Sequence, residues 1–272
     1  MSAPARPQLW GVVNTTPDSF SDGGLFLDSA AAIEHALALV EQGASVIDVG
    51  GESTRPGADR VSVEEERRRV IPVVSALAEA GVKVSIDTMR ASIARDALDA
   101  GAHIINDVSG GLADPEMFGV VAEHDVDYVL MHWRGHSDTM DSRAHYDDVV
   151  AEVSSELGAR LDDAAKAGID PARVIVDPGL GFAKTPAHNW SLLRNLEGWV
   201  PSGSRVIIGA SRKRFLGELI PRGHDASERD GVSAALGVLL AEAGVFALRV
   251  HNVRAHREAL DVWQAFHQGG GL

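Results

Sequence analysis

Cysteine is absent from the 272 residues of the chain. Disulfide bonds, thiolate metal sites and a cysteine nucleophile are therefore excluded. Basic residues are also scarce, since 25 Lys and Arg stand against 39 Asp and Glu and give a formal net charge of −14. The phosphates of nucleic acid repel such an acidic chain, and it lacks the polybasic patch that binds an anionic membrane. We therefore expect neither nucleic acid nor a membrane as a partner.

The chain also has no uninterrupted apolar stretch long enough to span a bilayer. Its longest apolar region, 234–250, is broken by Glu242, Gly244 and Arg249. Residues 1–8 have no apolar core of the kind found in a signal peptide. With 45% hydrophobic residues, the composition is typical of a globular protein, and we expect a cytoplasmic enzyme.

Short apolar segments, often β-branched, recur along the chain and predict eight strands. The predicted strands are Leu9–Asn14, Ser45–Val49, Val82–Asp87, His103–Asn106, Tyr128–His132, Val174–Asp177, Arg205–Gly209 and Phe246–His251. Helical patterns fill the intervals, and this alternation is typical of a parallel α/β sheet with right-handed crossovers.

Eight such units favour a closed (β/α)8 TIM barrel. We expect a single domain over residues 1–272, with its core at about 8–267. A doubly wound open sheet is the alternative. It is disfavoured because no G-x-G-x-x-G phosphate loop follows Asn14.

Apolar residues at helical spacing predict the buried faces of the helices. In the first helix these include Leu37, and in the helix before the last predicted strand they include Leu239. The last helix is marked by Ala259, Val262 and Phe266.

Most of the predicted strands end in polar or charged residues. Any one of these ends could simply meet solvent, but the carboxyl ends of barrel strands open at one mouth. As a set they predict a shared site, built from Asn14, Asp87, Asn106, His132, Asp177, Ser211, Lys213, Arg249 and His251.

The residue types indicate what this mouth binds. Carboxylate and carboxamide groups at Asp87, Asn106 and Asp177, with Lys213 nearby, suit a flat heterocycle with several N–H donors. Arg249 and His251 alternate on one strand, so both face the same side and suit a phosphate or diphosphate. The Asp and Asn groups could instead hold a hard cation such as Mg²⁺, whereas zinc-type spacing is absent.

A basic segment ends the seventh predicted strand. Arg212, Lys213 and Arg214 are adjacent there, and residues 198–217 contain no acid. In so acidic a chain this concentration of cations indicates an anion site, with a solvated basic turn as the alternative.

Two loops after predicted strands are rich in Gly, Pro, Ser and Asp. They are N-T-T-P-D-S-F-S-D-G-G at 14–24 and G-G-E-S-T-R-P-G at 50–57. Such composition is typical of turns, and loops over a barrel mouth can close on a substrate and exclude water. The first is longer than the roughly 2–6 residues usual between a strand and a helix.

Seven motifs resemble those of the dihydropteroate synthase family, in the family's order and over nearly the whole chain. They are N-T-T-P-D-S-F-S-D-G-G, D-V-G-G-E-S-T-R-P-G, S-I-D-T, N-D-V-S-G-G, D-P-G-L-G-F-A-K, G-A-S-R-K-R-F and R-V-H. The chain looks most like the actinobacterial form. The resemblance implies a (β/α)8 barrel that forms a homodimer and uses Mg²⁺. It also implies a reaction of folate biosynthesis in which 4-aminobenzoate and (7,8-dihydropterin-6-yl)methyl diphosphate give 7,8-dihydropteroate and diphosphate.

The resemblance further implies roles for the matching residues. The pterin would be held in the barrel by Asp87, Asn106, Asp177 and Lys213, so that only Lys213 of the three adjacent basic residues would point inward. Mg²⁺ would contact Asn14. The diphosphate would be bound by Arg249 and His251, with Thr54 nearby. The 4-aminobenzoate would be surrounded by Phe20, Asp22, Arg55, Pro56, Phe182, Ser211 and Lys213. Of these residues, Asp22, Asp177 and Lys213 are the candidate catalytic ones. Sulfonamides, which compete with 4-aminobenzoate in this family, are expected inhibitors.

The chain departs from the family pattern at Asn252, where an aspartate is expected. The implied ligands remain, so we expect activity. Two alternatives stay open. A pterin-dependent methyltransferase would need neither the S-T-R-P-G loop nor the diphosphate pair. A non-catalytic pterin-binding paralogue is disfavoured by the intact Asn14, Asp177 and Lys213.

Overall fold

The computed structural model describes residues 4–15, 25–52, 60–136, 140–220 and 225–267, although not the side chains of 25–28 and 141. Within these ranges, eight parallel strands pair in chain order, and the last pairs with the first to close a barrel. The strands are β1 (Gln8–Asn14), β2 (Val46–Gly50), β3 (Val84–Asp87), β4 (Ile104–Asp107), β5 (Asp127–Met131), β6 (Val174–Asp177), β7 (Arg205–Ile208) and β8 (Ala247–Val250). The predicted (β/α)8 barrel is confirmed, and the open doubly wound sheet is wrong because β1 and β8 are joined.

Helices follow the strands and surround the barrel. Those in the described residues are α1 (Leu25–Glu41), α2 (Val63–Glu79), α3 (Ala91–Asp99), α4 (Met117–His124), α5 (Val149–Lys166), α6 (Pro186–Arg194), α7 (Leu196–Trp199), α8 (Arg214–Gly217), α9 (Asp230–Glu242) and α10 (Val253–His267). None of the described helices is long and apolar enough to cross a membrane.

The alternation of side chains along a strand explains how polar residues reach the barrel interior. On β2, β4, β6 and β8, an apolar residue is followed two positions later by a polar one on the same face. The pairs are Val46 and Asp48, Ile104 and Asn106, Ile175 and Asp177, and Ala247 and Arg249. The four apolar members pack with Trp10, Val129 and Ile207 in a buried cluster separate from the main core. The polar members form the next layer toward the mouth, as alternate strands do in such barrels.

Some predicted helix faces are wrong. Leu37 on α1 is 38% exposed, Leu239 on α9 is 68% exposed, and Val262 and Phe266 on α10 are 71% and 83% exposed. The buried residues of α10 are instead Val253, His256, Leu260 and Trp263. Apolar residues occupy two sides of α10, and spacing alone does not determine which side faces the barrel.

Candidate active site

The inner polar layer is a connected network around Asp48, which is completely buried. Arg249 donates from Nε to Asp48 Oδ2 at 2.6 Å and from Nη2 to Asp87 Oδ2 at 2.7 Å. Asn106 donates from Nδ2 to the same Asp48 oxygen at 3.0 Å. Residues from four strands, far apart in sequence, therefore meet inside the barrel.

The charges in this network are unevenly satisfied. Burial raises the pKa of Asp87, and the nearby Asp48 carboxylate acts in the same direction, while Arg249 acts to lower it. The second oxygen of Asp48, Oδ1, is buried and has no hydrogen-bond partner among the described residues. A buried carboxylate oxygen without a partner is costly, so a ligand that supplies an N–H donor here would be stabilised.

Asp177 ends β6 at the same opening. Its Oδ1 accepts a hydrogen bond from the backbone N–H of Gly179 at 2.7 Å. Burial raises the pKa of Asp177, whereas Lys213 and Arg249 act to lower it. A β-carbon on Gly209 would lie 3.8 Å from Arg249 Cβ and 3.9 Å from Asp177 Oδ2, so both side chains border this glycine.

Lys213 points inward, as predicted. Its Nζ donates to the carbonyl of Leu180 and lies 4.8 Å from the centroid of the Phe182 ring. Burial lowers the pKa of Lys213 to about 8, although Asp177 acts to raise it. The cation, the aromatic ring and the Asp177 carboxylate thus occupy one side of the mouth.

Arg212, the neighbour of Lys213, has a specific structural position. Its φ is +61°, a left-handed conformation that is uncommon for residues other than glycine. Its guanidinium group binds Asp230 through two hydrogen bonds of 2.7 and 2.8 Å. Its backbone is bound as well, because its N–H donates to Ser233 Oγ at 3.1 Å and its carbonyl accepts from Arg229 at 2.8 Å.

His251 and Ser211 meet next to this turn. The backbone N–H of His251 donates to Ser211 Oγ, and His251 Nδ1 lies 3.2 Å from the same oxygen. Asn252, the departure from the family pattern, donates to Asp230 Oδ2 at 2.9 Å and accepts from the N–H of Ala255 at 3.0 Å. An aspartate could still accept from Ala255, but its ionised form could not donate to Asp230.

At the end of β1, Asn14 borders the same opening. A β-carbon on Gly50 would lie 3.6 Å from both Asn14 Oδ1 and Asp87 Oδ2. No cluster of three or more His, Asp or Glu side chains able to hold a metal ion occurs within the described part of the chain. Asn14 offers one amide oxygen at this opening.

The predicted residues separate into three groups. Those described at or beside the barrel mouth are Asn14, Asp87, Asn106, Asp177, Phe182, Ser211, Lys213, Arg249 and His251. His132, another polar strand end, instead contacts Lys184 and Glu156, each at 2.9 Å. The predictions for Phe20, Asp22, Thr54, Arg55 and Pro56 fall outside the described residues and stay predictions.

Two buried polar residues were not predicted as parts of the site. Asp48 could have been found, since it follows the apolar Val46 by two positions, as Asp177 follows Ile175. Lys184 is the last residue of the D-P-G-L-G-F-A-K motif, but it lies in a loop and only the folded chain shows that it is 8% exposed.

Comparisons with known proteins agree with this geometry. The family model described as "Pterin binding enzyme" matches residues 10–251. The dihydropteroate synthase of Mycobacterium leprae is 50% identical over 271 residues, covering 98% of this chain and 95% of that protein. A Xanthomonas albilineans dihydropteroate synthase solved with 4-aminobenzoic acid superimposes with a TM-score of 0.90. It is 47% identical, and the match covers 97% of this chain and 94% of that one. The Xanthomonas albilineans enzyme in complex with 7,8-dihydropteroate has a TM-score of 0.86 and 44% identity, with the same coverages.

Proposed function

The chain belongs to the dihydropteroate synthase family, and we propose how the residues at its mouth divide the work of that reaction. The enzyme condenses 4-aminobenzoate with (7,8-dihydropterin-6-yl)methyl diphosphate in folate biosynthesis and releases 7,8-dihydropteroate and diphosphate. Three subsites are needed: one for a flat polar ring, one for a diphosphate and one for a small aromatic carboxylate.

The pterin enters the barrel and binds to the inner polar layer. The carboxylates of Asp87 and Asp177 accept hydrogen bonds from N–H groups at its ring edge. The amide of Asn106 can donate or accept there, and Lys213 donates to a ring acceptor. The buried Oδ1 of Asp48, which has no partner among the described residues, supports a donor-rich ligand at this depth. Phe182, Ser211 and Lys213 border the 4-aminobenzoate, and Phe20, Asp22, Arg55 and Pro56 complete that subsite in the proposal.

The reaction begins with departure of the diphosphate. The bond between the pterin methylene carbon and the diphosphate oxygen breaks, and its electron pair stays on the oxygen. Arg249 and His251, with Thr54, stabilise the charge that leaves. Asp177 and Asp22 stabilise the positive charge that the electron-rich pterin shares with the methylene.

The amine of 4-aminobenzoate then attacks the methylene carbon. An aniline is neutral at pH 7, so its nitrogen forms the new C–N bond without prior deprotonation and loses one proton afterward. The observation that carries this proposal is the position of Asp177 in a buried mouth beside the two cations Lys213 and Arg249.

Assay of the purified protein with both substrates tests the proposal. We expect dihydropteroate to form and kcat to fall about 100-fold in Asp177→Asn, because the charge facing the methylene cation is removed. Asp163→Asn, on the exposed side of α5, is the matched control. Binding of the pterin diphosphate without turnover in the unmodified protein would instead favour a non-catalytic paralogue.

We further propose that Asn14 holds Mg²⁺. An amide oxygen suits this ion, which commonly takes one or two protein ligands and completes its shell with substrate phosphates and water. Bound there, the ion would supply charge neutralisation for the diphosphate. We expect activity to be lost in a chelator and restored by added Mg²⁺. Full activity after exhaustive chelation would contradict this assignment.

The protein is also proposed to be a homodimer. Leu239, Val262 and Phe266 are exposed on α9 and α10. These helices are joined where Glu242 accepts from Trp263 at 2.8 Å and lies 2.9 Å from His267. Exposed apolar residues on two adjoining helices suit the self-complementary interface of a two-fold dimer.

We propose the cytoplasm as the location of the protein.

Sulfonamides are proposed as inhibitors. A sulfonamide carries an aniline ring with an acidic group opposite the amine, as 4-aminobenzoate does. The same aromatic and cationic contacts at Phe182 and Lys213 would therefore bind both.

A further inference from the structure

The loop after β6, residues 178–185, has an unusual backbone. Gly179, Gly181 and Ala183 all adopt positive φ, at 66°, 75° and 47°. Alternate left-handed residues turn successive peptide groups in different directions, so this loop cannot satisfy its polar groups by regular pairing. Specific side-chain contacts must hold it in place.

Two lysines bind two carbonyls of this loop, one from the turn after β7 and one from the loop itself. Lys213 donates to Leu180 and, as described above, lies over the Phe182 ring. Lys184 donates from Nζ to the carbonyl of Phe182 at 3.1 Å. Phe182 is therefore held through its ring by Lys213 and through its backbone carbonyl by Lys184.

Lys184 is itself fixed by a chain of hydrogen bonds that leads away from the mouth. Its Nζ lies 2.9 Å from His132 Nδ1, and His132 Nε2 lies 2.9 Å from Glu156 Oε2 on α5. The ionised carboxylate of Glu156 can only accept, so Nε2–H donates to it and Nδ1 accepts from Lys184. Arg134 binds the same carboxylate and extends the chain to Glu152.

The electrostatics agree with this direction of hydrogen bonding. Burial and the Lys184 charge lower the pKa of His132 to about 4, so the imidazole is neutral and carries one proton, which the Glu156 contact places on Nε2. Burial lowers the pKa of Lys184 to about 7, although Asp177 acts to raise it. Burying a lysine is costly unless its ammonium group is hydrogen-bonded. We therefore infer that the hydrogen bonds of Lys184, which an apolar side chain could not make, have a function.

We propose that Lys184 is a positioning residue that, held by His132 and Glu156, fixes the Phe182 carbonyl and thereby the Phe182 ring beside 4-aminobenzoate. It acts through Phe182 and does not touch the substrate. The inference rests on the proposed function, in which Phe182 borders the 4-aminobenzoate subsite. It assigns a role to a network that the reaction described above does not use.

The test is a double-mutant cycle between Lys184 and Phe182. Lys184→Met keeps the length of the side chain and removes its donors. We expect it to raise the KM for 4-aminobenzoate about tenfold, with less than a twofold change for the pterin diphosphate. In a Phe182→Ala background the same substitution should change the KM for 4-aminobenzoate less than twofold, because the ring it positions is gone.

Three further variants complete the test. Lys166→Met removes an exposed lysine that pairs with Asp163 on α5 and should leave both KM values unchanged. Lys184→Arg retains a cationic donor and should recover part of the loss. Glu156→Gln, at a side chain 41% exposed, weakens the same network without emptying a buried position. It should raise the KM for 4-aminobenzoate about threefold.

The outcomes distinguish the two proposals. If Phe182→Ala leaves the KM for 4-aminobenzoate unchanged, the subsite assignment fails and the role of Lys184 fails with it. If Phe182→Ala raises that KM but Lys184→Met and Glu156→Gln do not, only the inference about Lys184 is overturned. Equal effects of Lys184→Met in both backgrounds would likewise overturn it.

Discussion

Lys213, in the turn after β7, and Lys184, within the loop after β6, each bind a carbonyl of that loop. Lys184 is buried and Lys213 is half-buried, and desolvation disfavours the charged form of each. At the scale of single residues, the site thus depends on cations held where their charge is costly. We therefore expect ligand affinity to depend on whether these lysines are charged.

The affinity for the pterin should depend on pH through Lys213. Its pKa is lowered to about 8, so the ammonium form prevails below pH 8 and the neutral amine above it. Because the charged donor binds a pterin acceptor more strongly, we expect the pterin dissociation constant to rise as the pH increases through 8. Calorimetric titration between pH 6.5 and 9.5 measures this change.

Lys213→Met is the control for this titration. It should bind the pterin more weakly, by roughly 1.5–3 kcal/mol, and show no change near pH 8. A pH dependence that persists in Lys213→Met would assign the titration to another group.

Arg249→Ala should discriminate between the diphosphate ester and the free pterin alcohol. Arg249 is the cation that joins Asp48 and Asp87, so its loss also leaves two buried carboxylates without their partner. The loss of affinity for the alcohol measures the effect of the two unpaired carboxylates on the pterin site. Any additional loss of affinity for the ester measures the contact between Arg249 and the diphosphate. Calorimetry with both ligands measures the difference, and equal losses would make Arg249 purely structural.

At the scale of elements, the turn between β7 and α8 depends on contacts from α9. Asp230, at the start of α9, binds Arg212 and Asn252 and so joins the turn to the start of α10. Arg212 has a left-handed backbone whose cost is about 1–3 kcal/mol, and surrounding contacts must offset it. Ser211 and Lys213 flank this residue and take their directions from it.

Asp230→Ala should therefore reduce catalysis, although Asp230 is not one of the residues proposed to bind the substrates. We expect kcat/KM to fall about tenfold and the free energy of unfolding to fall by about 1–3 kcal/mol. Steady-state kinetics and urea denaturation measure the two effects. Asp96→Ala, which removes a partner of Arg67 on the outer helices, is the control. Reduced stability with an unchanged kcat/KM would limit Asp230 to a structural role.

At the scale of the whole molecule, α9 and α10 carry apolar side chains that are exposed to solvent and do not pack in the core of the barrel. These side chains are Leu239, Val262 and Phe266, and Phe266 is 83% exposed. Burying such side chains against a second copy would remove apolar area from water, worth roughly 25 cal/mol per Å².

Phe266→Glu should convert the proposed homodimer into a monomer, because it would bury a charge at the two-fold contact. Sedimentation at micromolar concentration gives the mass directly. Leu37→Glu, on α1, places the same charge at another exposed apolar position and should leave the mass unchanged. A monomeric unmodified protein, or a dimer that persists in Phe266→Glu, would contradict the assignment to α9 and α10.

Much of the barrel could be predicted because strands buried on both sides carry a local signal. The apolar, β-branched segment Val174–Asp177 coincides with β6, and the other predicted strands overlap observed ones. Helix faces could not be predicted as well. The sequence contains apolar residues on both sides of α10, and only the packed barrel selects Leu260 over Phe266 for burial.

By itself, the sequence determined the alternation of strands and helices, the polar residues at the strand ends and the motifs that resemble one enzyme family. Those features are local, because a residue's type and its spacing to near neighbours are enough to define them. Only the tertiary structure decided that Arg249 binds Asp48, 201 positions away, and that Lys184 lies buried against His132. Such pairings depend on how the barrel closes and its loops fold, and no short-range pattern in the chain encodes them.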